Sequence, residues 1–285
     1  MNNKRKILFL SCPIHYICAS MEENSIYFVS LASGSSGNCY YFGHRDFGFL
    51  IDVGIPYRTI HKKLKDIGLS IECVRAVFIT HNHWDHIKAV DSFASKVHVP
   101  IYALPSVKKC ICSHNRFNNA LKAVDIKEIE LNEIITIENF SVMPFFVPHD
   151  SDGNCGYSIE FNDKRFTLAT DIGTPTDELR SLILQSDYLV IEANHDVDML
   201  KKGPYPQELK DRVLSDIGHL SNKMLAEVLK ECITDRLIRI FLCHLSEKNN
   251  TPELALQTIV QAIDRTVTVK VLDRRDTQKF ELCRR

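Results

Sequence analysis

Residues 81–86 read His81-Asn82-His83-Trp84-Asp85-His86 and follow directly on an apolar run, Ala76-Val77-Phe78-Ile79-Thr80. The apolar run predicts a strand, so the His and Asp side chains stand in a tight loop at a strand end. Two imidazoles one residue apart, followed by a carboxylate and a third imidazole, can face a common point and hold two cations side by side. The ordered HxHxDH pattern therefore predicts a metal site rather than a surface histidine cluster.

Three further residues stand directly after apolar segments and are candidates to complete this site. His149 follows residues 145–148, Asp171 follows residues 166–170, and His244 follows residues 239–243. Strands of one sheet would deliver these side chains to the same rim as the hexapeptide. The expected first ion is bound by His81, His83 and His149, and the expected second ion by Asp85, His86 and His244, with Asp171 bridging the two.

Such a pair of ions predicts hydrolysis. Two divalent ions about 3.5 to 4 Å apart lower the pKa of a bridging water and clamp both oxygens of a phosphoryl displacement. Asp85 is expected to act twice, as a ligand and as the carboxylate that orients or deprotonates the water. A His/Asp set without Cys accepts Zn²⁺, Mn²⁺ or Fe²⁺, and we expect Zn²⁺ or Mn²⁺, with Fe²⁺ as a further candidate. No motif indicates an organic cofactor.

The rest of the chain predicts a layered α/β protein. Short apolar strands are expected at 26–31, 39–42, 47–51, 134–137, 140–147, 156–161, 165–169, 188–192 and 238–243, and helices at 56–67, 176–184, 206–215 and 222–232. Polar side chains presented from strand ends are typical of layered α/β enzymes. Without a repeat or a linker, residues 21–285 are expected to form a single domain.

Residues 1–20 require a separate interpretation. Lys4-Arg5-Lys6 followed by Ile7-Leu8-Phe9-Leu10 resembles the opening of a secretory signal, but Pro13 interrupts an apolar core that is too short. The segment is interpreted as a disordered extension, or as the product of a start site placed before Met21, with a weak signal peptide as the alternative.

Composition limits the compartment and the partners. The chain has 285 residues, 45% of them hydrophobic, and a formal net charge of −1, so a polyanion could bind only through a local basic surface. Its ten cysteines include no CxxC pair, which favours free thiols in a reducing cytoplasm over disulfides or a thiolate zinc site. No segment is long and apolar enough for a membrane span.

A series of short motifs resembles the metallo-β-lactamase fold superfamily and, within it, the YycJ/WalJ family. These motifs are Ser30 to Asn38, Thr80 to His86, Pro148-His149-Asp150, Ala169 to Gly173, Glu192 to Asp196, Gly203 to Pro206, Gly218 to Asn222 and His244-Leu245-Ser246. The resemblance implies a four-layer αββα sandwich of the α/β (α+β) class. It also implies a divalent-metal-dependent exonuclease that acts on double-stranded DNA from the 5′ end.

The same resemblance suggests a proton donor. The superfamily's transfer-RNA 3′-processing endonucleases carry a Glu and a His beyond the metal ligands, and Glu192 and His219 look like their counterparts. An imidazolium held by a carboxylate can protonate the departing sugar oxygen. The alternative is that His219 only caps the helix expected at 222–232 and that Glu192 is a buried structural acid.

Substrate contacts are less clearly marked. The loop from Ser33 to Asn38 offers small residues and amides for a phosphate, which makes Ser35, Ser36 and Asn38 candidates. Asn194 is a candidate through the family resemblance alone. Asp52 is expected to fix a ligand histidine rather than to bind metal itself.

Other functions stay open at this point. They are an RNA-processing nuclease, a small ester or thioester hydrolase of the lactonase or glyoxalase kind, and a metal-binding scaffold without turnover. The segment between His149 and Asp171 is too short for the RNA-binding arm of typical transfer-RNA processing enzymes, and the segment between Asp171 and His244 is too short for a large inserted domain. The full ligand set argues against a scaffold without turnover.

Overall fold

The computed structural model describes residues 25–117, 126–263 and 266–282 of the chain, so the extension expected at residues 1–20 lies outside the described residues. The strands are β1 (Ile26–Ala32), β2 (Cys39–Gly43), β3 (Gly48–Ile51), β4 (Val74–Phe78), β5 (Ile101–Ala103), β6 (Ile126–Glu128), β7 (Ile135–Ile137), β8 (Phe140–Phe146), β9 (Cys155–Phe161), β10 (Lys164–Ala169), β11 (Tyr188–Glu192), β12 (Arg239–Cys243), β13 (Thr268–Val271) and β14 (Gln278–Leu282).

The helices are α1 (Tyr57–Asp66), α2 (Trp84–Ile87), α3 (Val90–Ser92), α4 (Pro105–Ser113), α5 (Asp177–Gln185), α6 (Val197–Lys202), α7 (Gln207–Val213), α8 (Asn222–Cys232) and α9 (Pro252–Ala262). A 3₁₀ turn at Ile71–Cys73 and a π-helical turn at Phe93–Val97 complete the described elements. Side chains at the first turns fix several helix starts. Thr176 accepts a hydrogen bond from the amide of Leu179, and Thr251 accepts one from the amide of Leu254.

The strands form two seven-stranded mixed sheets, with the orders β14-β1-β2-β3-β4-β5-β6 and β13-β12-β11-β10-β9-β8-β7. In the first sheet the pairs are antiparallel from β14 to β3 and parallel from β3 to β6. In the second sheet they are antiparallel from β7 to β10 and parallel from β10 to β13. Each sheet therefore has a parallel half, in which the carboxyl ends of neighbouring strands meet at one edge.

Aromatic rings fill the space between the two sheets. Phe28 and Phe42 of the first sheet contact rings of the second, with centroid distances of 5.0 Å from Phe28 to Phe166 and 4.9 Å from Phe28 to Phe241. Phe42 lies 4.9 Å from Phe166 and 5.5 Å from Phe140. These rings are all buried, and tilted or edge-on aromatic pairs at such distances add to the hydrophobic stabilisation of the interface.

Alternation along the central strands directs side chains to opposite faces. In β11, Val190 belongs to the core between the sheets, whereas Leu189 and Ile191 pack with the helices of the second sheet. Burial on both faces explains why this strand is an apolar run without polar alternation.

The helices that cover the second sheet are α5, α8 and α9, and α1 and α4 pack against the first sheet. The predicted αββα sandwich is confirmed.

Within the described part of the chain, no helix combines the length and apolar character that crossing a membrane requires.

The parallel halves of the two sheets bring the predicted site residues together. Asp52 follows β3, His81 lies just beyond β4, Asp171 lies just beyond β10, Glu192 ends β11 and His244 follows β12. Asp52, Asp171 and His244 have positive φ values of 58°, 54° and 53°. Left-handed backbone is uncommon outside glycine and is typical of functional sites, where the surrounding structure holds it.

Close backbone contacts lock the hexapeptide loop against the segment after β3. The amide of Asn38 donates to the carbonyl of Asp85 at 2.8 Å, and the amide of Gly54 donates to the carbonyl of Asn38 at 2.8 Å. A Cβ at position 54 would lie only 1.5 Å from the carbonyl oxygen of Asp85. Only glycine leaves room for this approach.

We predict that Gly54→Ala lowers the free energy of unfolding by about 3 kcal/mol or more, because the backbone of the loop must move to admit a methyl group. Urea denaturation measures this change. Gly34→Ala is the matched control, since its Cβ would meet its nearest neighbour at 3.4 Å, and it should change stability by less than about 1 kcal/mol. Equal stability of the two variants would contradict the packing argument.

Candidate metal centre

Three histidines present one nitrogen each to a common point. His83 Nδ1 lies 3.3 Å from His149 Nε2, and donor atoms of His81, His83 and His149 all lie within 4.8 Å of one another. His149 Nδ1 is 3.1 Å from the carbonyl of Gly218 and donates its proton there. Nε2 is then unprotonated, and its lone pair is free to bind a metal ion. Within the described residues His81 Nε2 is buried and has no hydrogen-bond partner. A buried imidazole nitrogen without a partner is what a metal ligand looks like before its ion is added.

A second set of donors lies beside the first. His86 Nε2 is 3.6 Å and His244 Nε2 is 3.9 Å from Asp85 Oδ2. His244 Nε2 is also buried and lacks a hydrogen-bond partner among the described residues. The structure thus brings together Asp85, His86 and His244 as predicted.

Asp171 lies between the two sets. Its Oδ2 is 3.2 Å from His86 Nε2, and its Oδ1 is 3.7 Å from His149 Nε2. One carboxylate oxygen therefore faces each set, as a bridging ligand requires. Because the donors are imidazole nitrogens and carboxylate oxygens, most of them on buried side chains, the site fits divalent metal binding.

Asp52 orients the candidate ligand His86 from the side opposite the metal site. The carboxylate accepts hydrogen bonds from His86 Nδ1 at 2.7 Å, from the Thr80 amide at 2.8 Å and from the Thr80 hydroxyl at 2.8 Å. Burial raises the pKa of Asp52, and the contacts with His86 and Thr80 oppose that shift. The hydrogen bond to Nδ1 fixes the tautomer of His86 so that Nε2 points to the metal site.

Thr80 is a site residue that the sequence argument passed over. Its hydroxyl donates a hydrogen bond to Asp52 and accepts one from His81 Nδ1, which lies 3.0 Å away. One side chain therefore orients both His81 and the carboxylate that holds His86. The available signal was its position, because a hydroxyl residue at the strand end directly before the first ligand is placed to bond its ring.

Glu192 is a fully buried carboxylate with four hydrogen-bond donors. Its Oε1 accepts from His219 Nδ1 at 2.9 Å and from His244 Nδ1 at 2.7 Å, and its Oε2 accepts from the amides of Ile172 at 2.7 Å and Leu220 at 3.0 Å. Burial raises the pKa of Glu192, but the charges and hydrogen bonds of the two histidines outweigh burial and hold the pKa at about 2. Glu192 is therefore a carboxylate anion that binds two imidazoles.

His219 is held by this anion and not by the helix that follows it. Burial lowers the pKa of His219, but Glu192 more than compensates and raises the pKa above its ordinary value. Ser221 caps α8 instead, by accepting a hydrogen bond from the amide of Met224. Since Nδ1 of His219 is bonded to Glu192, Nε2 is the atom left to act on a substrate.

The predicted substrate-contact residues fall into two kinds. Ser35 and Ser36 are exposed in a turn closed by a 2.9 Å hydrogen bond from the Gly37 amide to the Gly34 carbonyl. Asn38 and Asn194 are buried and are bonded inside the protein. The side-chain nitrogen Nδ2 of Asn38 lies 2.9 Å from His86 Nε2, and Nδ2 of Asn194 donates to the backbone carbonyl of His244 at 3.0 Å. Substrate contact by these four residues stays a prediction.

Two mixed sheets between helices, with two His/Asp sets joined by one carboxylate, define a metal-dependent hydrolase of the metallo-β-lactamase fold. Residues 49–240 match the Beta-lactamase superfamily domain. The solved structure of Zn²⁺-bound PqqB from Methylobacterium extorquens superposes with a TM-score of 0.68, at 16% identity, over 88% of this chain and 99% of that chain.

Exodeoxyribonuclease YycJ of Bacillus anthracis is 34% identical over 240 residues, which is 84% of this chain and 89% of the relative. Exodeoxyribonuclease WalJ of Streptococcus pneumoniae is 34% identical over 243 residues, which is 85% of this chain and 90% of the relative. The chain belongs to the β-lactamase superfamily and, within it, to the family of YycJ and WalJ.

We predict that Asp52→Asn weakens the binding of a divalent ion by about 10- to 100-fold. The Asn oxygen stays with the Thr80 amide, and the NH₂ group that replaces Oδ2 cannot accept the proton of His86 Nδ1. Asn tolerates the left-handed backbone at this position, so the local chain path is kept. Competition for Zn²⁺ with a chromophoric chelator measures the affinity.

The matched control is Asp187→Asn, which removes a buried carboxylate that pairs with Lys164 and Arg236, away from the site. It should lower stability and leave metal affinity unchanged. Unchanged affinity in Asp52→Asn would show that His86 does not depend on Asp52.

Proposed function

We propose that the protein is a metal-dependent exodeoxyribonuclease that degrades double-stranded DNA from the 5′ end. The observation that carries the proposal is the sequence identity to YycJ and WalJ, which extends over most of both chains. The Glu192–His219 pair supports it, because a phosphodiester has a poor leaving group that benefits from a proton donor beside the metal site.

We propose that the centre holds two divalent ions, either Zn²⁺ or Mn²⁺. The first would be bound by His81, His83 and His149, and the second by Asp85, His86 and His244, with Asp171 shared. When bound, such ions supply a water activated near neutral pH and neutralise charge on the reacting phosphate.

We propose that Asp85 orients that water. Its side chain is 24% exposed, whereas the side chains of His86 and His244 are 0% and 3% exposed. Oδ2 of Asp85 faces the two histidines, and part of the carboxylate is accessible to solvent. Asp85 can therefore bind metal, accept a hydrogen bond from the attacking water and hold the proton that the water loses.

We propose that His219 protonates the departing sugar oxygen. Its side chain is 21% exposed, its Nδ1 is bonded to buried Glu192, and its ring centroid lies 5.1 Å from that of His149 and 5.3 Å from that of His244. Glu192 stabilises the imidazolium and aims Nε2 outward. Glu192 thus acts through His219, which touches the substrate.

We propose that the exposed residues Ser35 and Ser36 bind a DNA phosphate. Their turn is tied to the site because Asn38, at its end, contacts His86, and Lys88 Nζ lies 3.2 Å from the Ser36 carbonyl. Hydroxyls, turn amides and a nearby lysine are the usual contacts to a phosphate backbone.

We also propose that residues 21–285 act as one domain, since β1 and β14 pair within the first sheet.

The proposed activity predicts an ordered loss of label from linear duplex DNA that carries different fluorophores at the 5′ and 3′ ends of one strand. With Mn²⁺ added, the 5′ label should appear first in short products, and Asp85→Ala should release neither label. Gel or capillary electrophoresis separates the products. Earlier release of the 3′ label would contradict the polarity.

Cleavage of RNA but not DNA by the metal-loaded protein would replace the proposal with an RNA-processing nuclease. Hydrolysis of lactones or thioesters alone would indicate a small-ester hydrolase.

The proton-donor role predicts that His219→Ala lowers kcat on DNA by about 10²- to 10⁴-fold while metal content is retained. A phosphodiester with a nitrophenolate leaving group needs no proton on departure, so on that substrate the loss should stay below about 10-fold. Steady-state kinetics with both substrates, beside metal analysis, make the comparison. Asp85→Ala is the control and should lose both activities. An equal loss on both substrates, or loss of metal, would refute the assignment.

A further inference from the structure

Trp84 stands between the candidate ligands His83 and Asp85 and is the only tryptophan of the chain. Its half-buried ring stacks with the ring of His114, with centroids 5.4 Å apart and planes at 18°. The guanidinium carbon Cζ of Arg116 lies over the Trp84 ring, 4.6 Å from its centroid. A guanidinium above an indole face is held there by cation–π attraction. A residue inside the hexapeptide therefore holds a cation.

The turn at 114–117 positions the Arg116 side chain. The backbone amide of Arg116 donates a hydrogen bond to His114 Nδ1 at 3.2 Å. The buried ring of Phe117 packs against both aromatic neighbours, with centroids 5.1 Å from that of His114 and 5.7 Å from that of Trp84. Because three rings and a hydrogen bond fix this turn, the guanidinium is oriented before a ligand arrives, which lowers the entropy cost of binding.

The hydrogen-bonding edge of the Arg116 guanidinium has no partner in the described part of the chain. Arg116 is exposed, and no carboxylate among the described residues pairs with it. The contact with Trp84 uses the flat face of the guanidinium, whereas its five N–H donors point outward in the plane. Two such donors match two oxygens of one phosphate group. Arg116 therefore offers an uncompensated positive charge and an unused bidentate donor.

Helix α4, which precedes this turn, lies beside both loops that carry the candidate ligands of the first ion. Its Cys110 Sγ is 3.0 Å from Asp152 Oδ2, three residues beyond His149. The same oxygen accepts a hydrogen bond from Asn82 Nδ2, in the hexapeptide, at 3.4 Å. The end of α4 and the turn after it therefore lie at the side of the metal centre.

The segment that carries Arg116 is basic. Residues 105–117 include Lys108, Lys109 and Arg116 and no acidic residue. Lys108 pairs with Glu128 at 3.0 Å, whereas Lys109 is exposed. Since the whole chain has a formal net charge of −1, a polyanion is attracted only by a local basic surface, and this segment supplies one beside the site.

We propose that Arg116, held by Trp84, binds a phosphate of the DNA strand at the side of the metal centre where α4 lies. The proposal rests on the proposed function and deepens it by naming a contact to the substrate. The bound phosphate is not the one that is cleaved, so the contact contributes to binding and not to the chemical step. Trp84 acts through Arg116 and is a positioning residue.

The test is the degradation of linear duplex DNA by the metal-loaded full-length protein over a range of salt concentrations. Arg116→Gln should raise KM about 10-fold and leave kcat within about 2-fold, because a charge-assisted hydrogen bond made outside the reacting centre is lost. The slope of log kcat/KM against log salt concentration should become shallower by about 1, as expected for one phosphate contact. Arg116→Lys should keep the wild-type slope and recover only part of the affinity, because an ammonium lacks the planar fork.

The matched control is Arg180→Gln, which removes a guanidinium that pairs with Glu231 between helices α5 and α8 on the second sheet. It should keep the wild-type KM and salt slope. Trp84 emission adds a readout that does not depend on turnover. In His219→Ala, added duplex DNA should change this emission, because the phosphate neutralises the cation over the ring. Combining that variant with Arg116→Gln should raise the DNA concentration needed by about 10-fold.

Three results would overturn the proposal and leave the proposed function in place. They are a wild-type KM and salt slope in Arg116→Gln, a lower kcat with an unchanged KM in that variant, and Trp84 emission that does not respond to bound DNA. A wild-type protein that neither binds nor degrades DNA would overturn the proposed function itself, and this contact with it.

Discussion

Burial of three carboxylates at strand ends is the constraint on which the site depends. Asp52 and Glu192 are fully buried and Asp171 is 2% exposed, each at or just beyond the end of a strand in a parallel half-sheet. A buried anion is strongly unfavourable unless hydrogen-bond donors or cations compensate it. Imidazoles and backbone amides supply part of this compensation. One nitrogen each of His81 and His244 has no partner among the described residues, and these nitrogens are where further positive charge would be stabilising.

The two-sheet architecture explains how so many polar groups converge without disrupting the core. The aromatic rings lie between the sheets, whereas the candidate ligands follow the ends of strands, so the site leaves the hydrophobic packing intact. Ligands from β4 approach from the first sheet, and Asp171 and His244 approach from the second. The site therefore forms only when both sheets are packed, and the closeness of Gly54 to Asp85 fixes how the loops between them meet.

Where the signals are local, the sequence was sufficient for the elements and for the candidate donors that the structure brings together. The apolar runs before His81, His149, Asp171 and His244 form strands. A polar residue that directly follows a buried strand lies at the edge of the sheet, outside the hydrophobic core. Helix α8 begins and ends where its apolar periodicity predicts, because Ser221 caps a strongly amphipathic segment.

The features that escaped prediction depend on contacts between distant segments. Short strands such as β5 and β13 lack a distinct pattern, and their pairing with longer neighbours defines them. The buried positions of Asn38 and Asn194 follow from what their amides meet, namely His86 and the His244 carbonyl. The left-handed backbone at Asp52 is likewise imposed by tertiary structure, since most Asp residues do not adopt it even though Asp is enriched there.

One oxygen couples the metal centre to the proton donor. Glu192 Oε1 accepts hydrogen bonds from His244 Nδ1 and His219 Nδ1 at once, so both imidazoles share a single negative charge. A cation at Nε2 of His244 makes its Nδ1 proton more acidic and draws on that charge, which alters how strongly Glu192 stabilises an imidazolium at His219. The two imidazoles are therefore linked through one carboxylate, and their charges and hydrogen bonds hold the pKa of Glu192 at about 2, so Glu192 is an anion near neutral pH.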